Sequence, residues 1–293
     1  MNQPPQPPAD HAEPQSVPLP RSGFAAHGHR RPAWRLPEGV SPGTWEYTQQ
    51  EAIATGYREF IANTPLVELD SRLLGEHLPA AAAGRGSRVV DFGCGDGRTM
   101  RTLWAAGYDV LGVDLSQPML RQVAAGPAGK AFEHKRIRAN LVQLECLAEG
   151  IAAHGVCLFS TIGMIRGRAC RRRFLQHAAR IVRPGGSFVL HVHNRHAAWR
   201  SGPARRVWLR SAWSALTERG HEWGDQTYGY RGLADMFLHS YSLAELKSDL
   251  TASGWTVGQI IPLSITSGEI LNRPHWLPGL RAGGFIAIAR SEN

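Results

Sequence analysis

One short segment of the chain combines a carboxylate with glycines at every second position. Asp91 is followed by Gly93, Gly95 and Gly97. A loop of this composition can turn tightly and lets a ligand approach its backbone amides, and the N-terminus of a following helix adds partial positive charge. Asp114 lies seventeen residues after Gly97, at the end of the next predicted strand, where a carboxylate can accept hydrogen bonds from both hydroxyls of a ribose. These residues predict a site for a nucleoside cofactor.

The spacing of the glycines indicates which class of nucleoside cofactor the loop would bind. A loop that holds the pyrophosphate of a dinucleotide has the pattern GxGxxG. Here the pattern is GxGxG with an acid before it, which suits a cofactor that carries an amino group and no phosphate. Two alternatives stay open on these residues alone: a nicotinamide-dependent enzyme, and a tight strand-to-helix turn that binds no ligand.

Strand and helix signals alternate around this motif, and such alternation predicts a parallel sheet. Two helices are expected before the first strand, over about 44–78. Mostly apolar segments predict strands at 88–92, 110–113, 136–139, 155–159, 188–193, 257–263 and 285–289, of which the last two would pair antiparallel. Helices are predicted at 98–106, 118–125, 171–182 and 242–252, the last with Ser242 as its N-cap.

The composition changes along the chain. Ten of the 19 prolines lie within the first 42 residues, which predicts a Pro-rich, disordered segment over 1–40. Residues 41–293 are predicted to form one domain, with a helical cap at 41–79. Residues 195–235 interrupt the rhythm of strands and helices and hold four of the nine tryptophans, so we expect an insertion or lid there.

The glycine motif, the acid after the second strand and the implied strand order resemble the class I S-adenosylmethionine-dependent methyltransferases. The resemblance covers about 44–290 and includes the turn formed by Arg183, Pro184, Gly185 and Gly186 before the fifth strand. It implies an α/β fold with a Rossmann-like seven-stranded mixed sheet, and S-adenosylmethionine as cofactor. In that family the glycine loop holds the methionine end, the second-strand acid holds the ribose, and a polar residue after the third strand meets the adenine amine.

Matched residue by residue, the resemblance assigns the cofactor site to the ends of the first four strands. Asn140 departs from the commoner Asp, although its amide oxygen can still accept a hydrogen bond from adenine. Tyr57 and Arg58 resemble residues that cap the cofactor's carboxylate, with ordinary packing and a solvated position as alternatives; Tyr47 and Trp45 could close the same pocket. The remaining positions are Asp91, Gly93, Cys94, Gly95, Gly97, Asp114, Leu115, Met119, Leu141, Phe159 and Ser160.

The methyl acceptor is expected beside the ends of the fourth and fifth strands. His193 ends the fifth strand and shares a face with His191. With an ordinary pKa of about 6.5, its imidazole could act as a general base, or it could simply hydrogen-bond among the strand ends. Five further residues are predicted on the acceptor side: Thr161, Met164, Asn194, Trp199 and Tyr241.

The formal charge is +9, and the basic residues are unevenly placed. No Asp or Glu occurs between Glu149 and Glu218, whereas twelve arginines fall between Arg166 and Arg210. This stretch predicts a positive field that attracts an anionic substrate, a phosphate or nucleic acid, unless it only solvates the surface. The tryptophans of the insertion could wall an apolar or aromatic substrate, stack on bases, or anchor the loop.

Features of other classes are missing from the sequence. No Asn-Pro-Pro-Tyr follows the fourth strand and there is no Pro-Cys, which disfavours the amino methylation of DNA and a cysteine nucleophile. The acid-free stretch lacks the carboxylates of a metal site. The four cysteines form no CxxC pair, and no apolar run has the length of a membrane span or the form of a signal-peptide core. We expect a reduced, cytoplasmic protein with neither a metal nor a membrane partner.

The sequence thus predicts an enzyme that transfers the methyl group of S-adenosylmethionine, without a metal, to an O or N atom of a small anionic or aromatic molecule. One alternative is a tRNA or rRNA methyltransferase that uses the basic stretch 160–210. Another is a cofactor-binding partner protein that is catalytically silent. The oligomeric state stays open.

Overall fold

The carboxyl ends of the central strands are the part of the fold that positions the site. In the computed structural model, the described residues are 31–62, 64–79, 87–126, 129–132, 135–200, 202–265, 267 and 269–292. Their strands are β1 Arg88–Phe92, β2 Asp109–Asp114, β3 Arg136–Arg138, β4 Ala152–Cys157, β5 Val182–His193, β6 Asp225–Tyr230, β7 Leu233–His239, β8 Trp255–Leu263 and β9 Gly284–Ser291.

Seven of these strands pair in the order β3-β2-β1-β4-β5-β9-β8, and β6 and β7 form a separate hairpin. Strands β1 to β5 run parallel to one another, whereas β9 is antiparallel to both β5 and β8. The predicted α/β fold with a seven-stranded mixed sheet is therefore confirmed. The chain passes from β1 outward to β2 and β3 and then returns to β4, so the strand order reverses between β1 and β4. Ligand crevices form outside the carboxyl ends of strands at such a reversal.

The described helices cover both faces of this sheet and its carboxyl edge. The sequence predicts two helices before the first strand, but the described residues form four there. The breaks arise because Gln50 has an extended backbone, Gly56 ends the second helix and Pro65 begins the fourth. None of the described helices has the length and apolar character that a membrane span requires. The α-helices are α1 Pro42–Gln49, α2 Glu51–Thr55, α3 Tyr57–Ile61, α4 Pro65–His77, α5 Arg98–Ala105, α6 Gln117–Ala125, α7 Arg168–Ile181, α8 Gly202–Thr217, α9 Leu243–Thr251 and α10 Pro278–Arg281.

Serine side chains fix the starts of two helices next to the site. The predicted N-cap is confirmed, since Ser242 Oγ accepts a hydrogen bond from the backbone N–H of Glu245. Ser116 Oγ likewise accepts from the N–H of Met119 and also donates to the carbonyl oxygen of Thr48 at 2.8 Å. The cap of α6 thereby ties the N-terminal helices to the edge of the sheet.

Apolar side chains on the two faces of the sheet pack against different helices. On one face, Phe188 of β5 stacks on Trp255 with 4.7 Å between ring centroids, and Phe174 of α7 packs beside them. On the other face, Val189 lies in a cluster with Leu69 of α4. Because both faces are covered, β4 and β5 are apolar along most of their length, as buried parallel strands usually are.

The domain begins earlier, and the insertion ends later, than the sequence analysis placed them. Residues 1–30 of the predicted Pro-rich segment lie outside the described residues. Ala33–Arg35 form a short 3₁₀ helix, Asn140 Nδ2 donates to the carbonyl oxygen of Glu38 at 2.9 Å, and the compact unit starts at Arg31. Proline prevents regular structure but does not prevent packing against a neighbouring element. The insertion consists of a 3₁₀ helix at Arg195–Arg200, then α8 and the β6–β7 hairpin, and it ends at His239.

The N-terminal helices meet the insertion where α1 crosses the hairpin. A Cβ atom at Gly43 would lie 1.9 Å from the carbonyl oxygen of Asp235 and 2.9 Å from the backbone nitrogen of Met236. Met236 also belongs to a small apolar cluster with Ile53 of α2 and Met119 of α6. The absence of a side chain at Gly43 is therefore what allows α1 to approach the hairpin.

We predict that Gly43→Ala destabilises the protein, because the new methyl group overlaps backbone atoms that cannot move away alone. The expected loss is about 1–3 kcal/mol in the free energy of unfolding, measured by urea denaturation. The matched control is Gly75→Ala in α4, where a Cβ would meet nothing within 4 Å. That change should gain about 0.5 kcal/mol, since alanine favours a helix over glycine. Equal effects of the two substitutions would contradict the close approach at Gly43.

Candidate functional site

Asp114 and the glycine loop form one hydrogen-bonded unit. Asp114 Oδ2 accepts from the N–H of Gly95 at 2.8 Å, and its Oδ1 accepts from the N–H of Ser116 at 2.7 Å. Burial raises the pKa of Asp114, and these backbone hydrogen bonds oppose that rise. At Gly93 the φ angle is +79°, and a Cβ there would lie 2.3 Å from Thr161 Cγ2. The loop is thus held against both its neighbouring strands by a carboxylate that also accepts from the backbone of Leu115.

A cavity opens above the carboxyl ends of β1, β2 and β4. Eleven of its lining residues are positions that the sequence analysis assigned to the cofactor or the acceptor: Tyr57, Gly93, Gly95, Asp114, Leu115, Met119, Asn140, Leu141, Phe159, Thr161 and Met164. Tyr47 lines it as well, whereas Trp45 does not. The five lining residues that sequence reasoning missed are Gly39, Val40, Thr44, Thr48 and Ile165.

Three of the α1 residues share one side of their helix. Thr44, Tyr47 and Thr48 are spaced as i, i+3 and i+4, and side chains at these offsets lie on the same face. This spacing was the available signal for Thr44 and Thr48. No comparable signal exists for Gly39 and Val40, which reach the cavity from irregular backbone before α1.

Five residues assigned to the cofactor do not line the cavity, namely Asp91, Cys94, Gly97, Ser160 and Arg58. The Cys94 side chain is buried in the apolar core beneath the loop. Gly97 has a φ of +80° at the start of α5 and packs against Val123. Ser160 is buried, and its Oγ accepts from the backbone N–H of His193. Arg58 is half exposed and pairs with Asp96 at 3.4 Å. Cys94 and Ser160 are thus held in the interior, and Arg58 is engaged by Asp96.

Asp91 is a buried carboxylate at the base of the loop. It is 2% exposed, and its Oδ2 has no hydrogen-bond partner among the described residues. Burial raises its pKa from 3.8 to about 7; Arg98 opposes this rise, and Asp114, Asp96 and Asp70 add to it. A buried acid with an unpaired oxygen is costly unless a donor reaches it. The site is therefore prepared for a cationic donor such as an ammonium group.

The turn after β4 has an unusual backbone. Phe159 and Ser160 have φ angles of +52° and +57°, a region that side chains with a Cβ rarely adopt, and such residues concentrate at functional sites. The Arg98 guanidinium lies 4.7 Å from the centre of the Phe159 ring and bonds to Asp70 at 3.0 Å. The surroundings thus hold Phe159 at the cavity wall. The sequence carried no sign of this conformation.

A second cavity lies beside the first, beneath the insertion. Its lining residues are His193, Asn194, Arg195, Ala197, Ala198, Val207, Trp208, Ser211, Trp223, Gly224, Asp225, Gln226, Leu238, Ser240 and Gly283. The 3₁₀ turn Thr161–Met164 contributes Thr161 and Met164 to the first cavity and packs against β7, whose Leu238 lines the second. Thr161 faces the first cavity, whereas a Cβ at Gly163 would lie 2.9 Å from Leu238 Cδ1, on the side of the second. One turn of chain therefore connects the first cavity to a strand that lines the second.

His193 is placed where a proton acceptor would be needed. Its ring is partly buried in the wall of the second cavity and meets the ring of His191 edge to face, with 5.5 Å between centroids. Burial lowers the pKa of His193 below 6.5 and that of His191 to about 3, the latter also through His193 and Arg98. Both rings are thus neutral at pH 7, and a neutral imidazole can accept a proton.

Two residues predicted on the acceptor side lie elsewhere, and a third has a structural role. Tyr241 is fully buried in the core, 5.5 Å from the Arg171 guanidinium. Trp199 is exposed on the 3₁₀ helix and meets the ring of Trp208 edge to face. Asn194 lines the second cavity, but its amide donates to the carbonyl oxygens of Gly279 and Ala282. Strand-end packing, which the residue types alone could not reveal, decides these positions.

Five of the twelve arginines in the basic stretch form ion pairs with acids from distant parts of the chain. Arg168 and Arg172 both bond Asp249 at 2.8 Å, and Arg173 bonds Glu38 at 2.6 Å. These pairs remove part of the positive field that the local composition predicts. The acid-free stretch is thus complementary to acids elsewhere in the fold.

Among the described residues, Glu222, His239 and Glu245 come close enough to hold a metal ion, with ligand atoms within 4.8 Å of one another. Arginine side chains already occupy this cluster. Fully buried Arg171 bonds Glu222 at 2.6 Å, and Arg195 bonds Glu245. Two guanidinium charges at this distance repel a further cation. The ion pairs of this cluster connect α7 to the insertion.

The comparisons with known proteins identify the family. Residues 66–260 match the family model described as a methyltransferase domain. The chain belongs to this methyltransferase family, within the class I, S-adenosylmethionine-dependent group that the glycine motif predicts. S-adenosylmethionine is accordingly the cofactor of this domain.

Solved structures agree with the fold. The CcbJ methyltransferase from Streptomyces caelestis aligns with a TM-score of 0.58 and 16% identity, over 84% of this chain and 99% of that one. A methyltransferase of Methanosarcina mazei, described as S-adenosylmethionine-dependent, aligns with a TM-score of 0.56 and 18% identity, over 75% and 96%. At these identities the likeness establishes the fold alone.

Curated relatives have different acceptors by name. The tRNA 5-carboxymethoxyuridine methyltransferase of Escherichia coli K12 is 29% identical over 150 residues, 49% of this chain and 56% of the relative. The ubiquinone biosynthesis O-methyltransferase of Caulobacter strain K31 is 31% identical over 110 residues, 38% and 42%. The malonyl-[acyl-carrier protein] O-methyltransferase of Pseudescherichia vulneris is 28% identical over 211 residues, 71% and 67%. The chain spans about half the length of the first two.

The residues of the first cavity suit this cofactor. The Gly93 and Gly95 backbone leaves room above the loop. Asp91 lies outside the cavity lining, and its unpaired oxygen is buried at the base of that loop, where an approaching ammonium group would be attracted to it. Asp114 lines the cavity at the position where the family holds the ribose. Asn140 Oδ1 accepts from the N–H of Val142 at 3.2 Å and keeps a second lone pair for adenine. No group in the cavity wall conflicts with an amino acid joined to a nucleoside.

We predict that Asp91→Asn stabilises the unliganded protein above neutral pH but weakens cofactor binding. Because the folded pKa of about 7 lies above 3.8, the folded protein binds this proton more tightly than the unfolded chain does. Stability of the unliganded protein is therefore lost as pH rises from about 4 through about 7. Asp91→Asn should remove this loss and raise the melting temperature at pH 8. It should also weaken S-adenosylhomocysteine binding about tenfold or more, as measured by calorimetry.

The control is Asp109→Asn at the start of β2, where the carboxylate pairs with Arg88 and Lys135 at the surface. This variant should bind S-adenosylhomocysteine as the wild type does. Unchanged affinity in Asp91→Asn would contradict the role given to the buried carboxylate.

Proposed function

We propose that this protein methylates an O or N atom of a small molecule with an aromatic or apolar ring, and that the second cavity holds this acceptor. The observation that carries the proposal is the position of that cavity, which lies one turn of chain from the cofactor cavity. Trp208 and Trp223, 5.2 Å apart between ring centroids, supply its aromatic wall. Rings pack well against such walls, edge to face or stacked.

The cofactor supplies an electrophilic methyl group on a sulfonium sulfur. The protein aligns the acceptor with it and excludes water. Asp91, Asp114 and the glycine loop fix the cofactor, and the Thr161–Met164 turn sets the distance to the acceptor. Phe159 and Met164 make the surroundings of the reacting atoms apolar.

The acceptor's attack leaves a proton to be removed from its hydroxyl or amino group. His193 is the group in the second cavity suited to take it, because its neutral imidazole faces the cavity and no described acid holds it protonated. His191 behind it is also neutral and fixes the ring by an edge-to-face contact. The proton can then pass from His193 to solvent through the partly exposed side of the ring.

Two alternatives have weaker support. An RNA substrate would use the arginines of the basic stretch. Arg168, Arg172 and Arg173 are paired with acids, which leaves Arg205, Arg206 and Arg210 of α8 for phosphates. A silent cofactor-binding partner would have no need of an acceptor cavity that carries a neutral histidine. We therefore favour an enzyme with a small acceptor over both.

The test is a transfer assay with radiolabelled S-adenosylmethionine against phenols, aromatic amines and aromatic carboxylates, with bulk tRNA and rRNA in parallel. The proposal expects label in a small aromatic acceptor. Label in RNA, with an affinity that falls steeply between about 50 and 200 mM salt, would establish the RNA alternative. Tight binding of S-adenosylhomocysteine with no label in any acceptor would favour the silent partner.

We predict that His193→Gln lowers kcat about 10²–10⁴-fold, the usual contribution of a general base, while S-adenosylhomocysteine affinity changes less than about twofold. In the wild type, kcat/KM should fall as pH drops through a pKa below 6.5, since protonation removes the base. The variant should lose that acid limb. Exposed His275→Gln is the control and should keep both the rate and the limb. Wild-type rates in His193→Gln would eliminate it as the base.

A further inference from the structure

The outer face of α8 is exposed, apolar and basic at once. Leu209, Trp213 and Leu216 are 53%, 69% and 85% exposed, although such side chains are usually buried. Their spacing of i, i+4 and i+7 places them in one stripe along the helix. The helix therefore presents to solvent a row of large apolar side chains that no described residue covers.

Arginines flank this stripe. On a helical projection, Arg205 lies on one side of it and Arg206 and Arg210 on the other. α8 contains no Asp or Glu, and no described acidic side chain pairs with these three arginines. Most arginines of α7, by contrast, have acidic partners. The charge on α8 is therefore left for an external anion.

We infer that this face of α8, defined by Leu209, Trp213, Leu216, Arg205, Arg206 and Arg210, docks the protein on an anionic membrane surface. A helix with apolar and tryptophan side chains in the middle and arginines at the flanks lies in the plane of the lipid headgroups. Tryptophan favours that interface, and arginine can extend its charged end to the phosphates.

The chemistry of the face favours lipid over RNA. Leucines 53% and 85% exposed contribute nothing to phosphate or base contacts, whereas they gain free energy in an acyl layer. The neighbouring elements extend the same character. Arg200 donates to the carbonyl oxygen of Arg281 in α10, where exposed Leu280 and Trp276 lie close by. A bilayer surface can accept such a broad set of apolar side chains without a matching shape.

The inner face of α8 contributes to the second cavity. Val207, Trp208 and Ser211 of the same helix line the second cavity. A protein bound through the outer face of α8 would thus hold that cavity next to the lipid headgroups. The absence of an apolar run of membrane-spanning length predicts no membrane partner, but an interfacial helix binds a membrane without such a run. Docking itself does not depend on the proposed reaction.

The experiment is sedimentation of the full chain with vesicles of phosphatidylcholine, alone or mixed with phosphatidylglycerol. We expect binding to the mixed vesicles that weakens with salt, and little binding to phosphatidylcholine alone. The triple change Leu209→Ser, Trp213→Ser and Leu216→Ser should abolish binding. Arg205→Gln, Arg206→Gln and Arg210→Gln should each weaken binding about fivefold. Trp34→Ser is the control, since Trp34 is 76% exposed but belongs to the 3₁₀ helix before α1 and not to α8, and should bind normally.

S-adenosylhomocysteine binding shows that each variant is folded, because none of these residues lines the cofactor cavity. Light scattering in the absence of lipid tests the competing occupant, a second copy of the chain. Absence of vesicle binding by the wild type would overturn the inference. So would a dimer that the triple change dissociates, or equal binding to both kinds of vesicle.

Discussion

The site depends on two backbone hydrogen bonds that Asp114 accepts, from Gly95 at 2.8 Å and from Ser116 at 2.7 Å. They join the loop after β1 to the turn after β2, so the floor of the cofactor cavity is one rigid unit. Ser116 then caps α6 and bonds Thr48 of α1. The Asp114 carboxylate thereby connects the glycine loop, through Ser116, to the N-terminal helices and the hairpin beneath α1.

Buried charge is used in two opposite ways in this molecule. At Asp91 a carboxylate is left with an unpaired oxygen, and burial raises its pKa. Such a group costs stability in the unliganded protein and makes cation binding favourable, as functional sites often do. Around Arg171 the charges are matched, with Glu222 at 2.6 Å and Glu245 at 3.6 Å. Removing one partner there would leave an uncompensated buried charge, so that cluster fixes the insertion instead of binding a ligand.

Site residues could be predicted from the sequence where local geometry requires a particular residue type. Gly93 and Gly95 have positive φ angles, and Asp114 ends a strand beside them, so their pattern could be found without knowing any contact. Prediction failed where packing between distant segments decides a position. Tyr241 and Trp199 carry suitable side chains, yet one lies in the core and the other outside. Thr44 and Thr48 reach the cavity only because Gly43 lets α1 approach the hairpin.

By itself, the sequence determined the α/β sheet, the cofactor class and the strand ends that carry the site, because hydrophobic periodicity and glycine spacing are local properties. The tertiary structure alone decided the division into two cavities and the positive φ angles of Phe159 and Ser160. It also decided which arginines of the basic stretch pair with acids. Arg171 meets Glu222 and Glu245 across more than fifty residues of sequence. Local composition cannot reveal which charges a fold will neutralise, since ion pairs depend on distance in space.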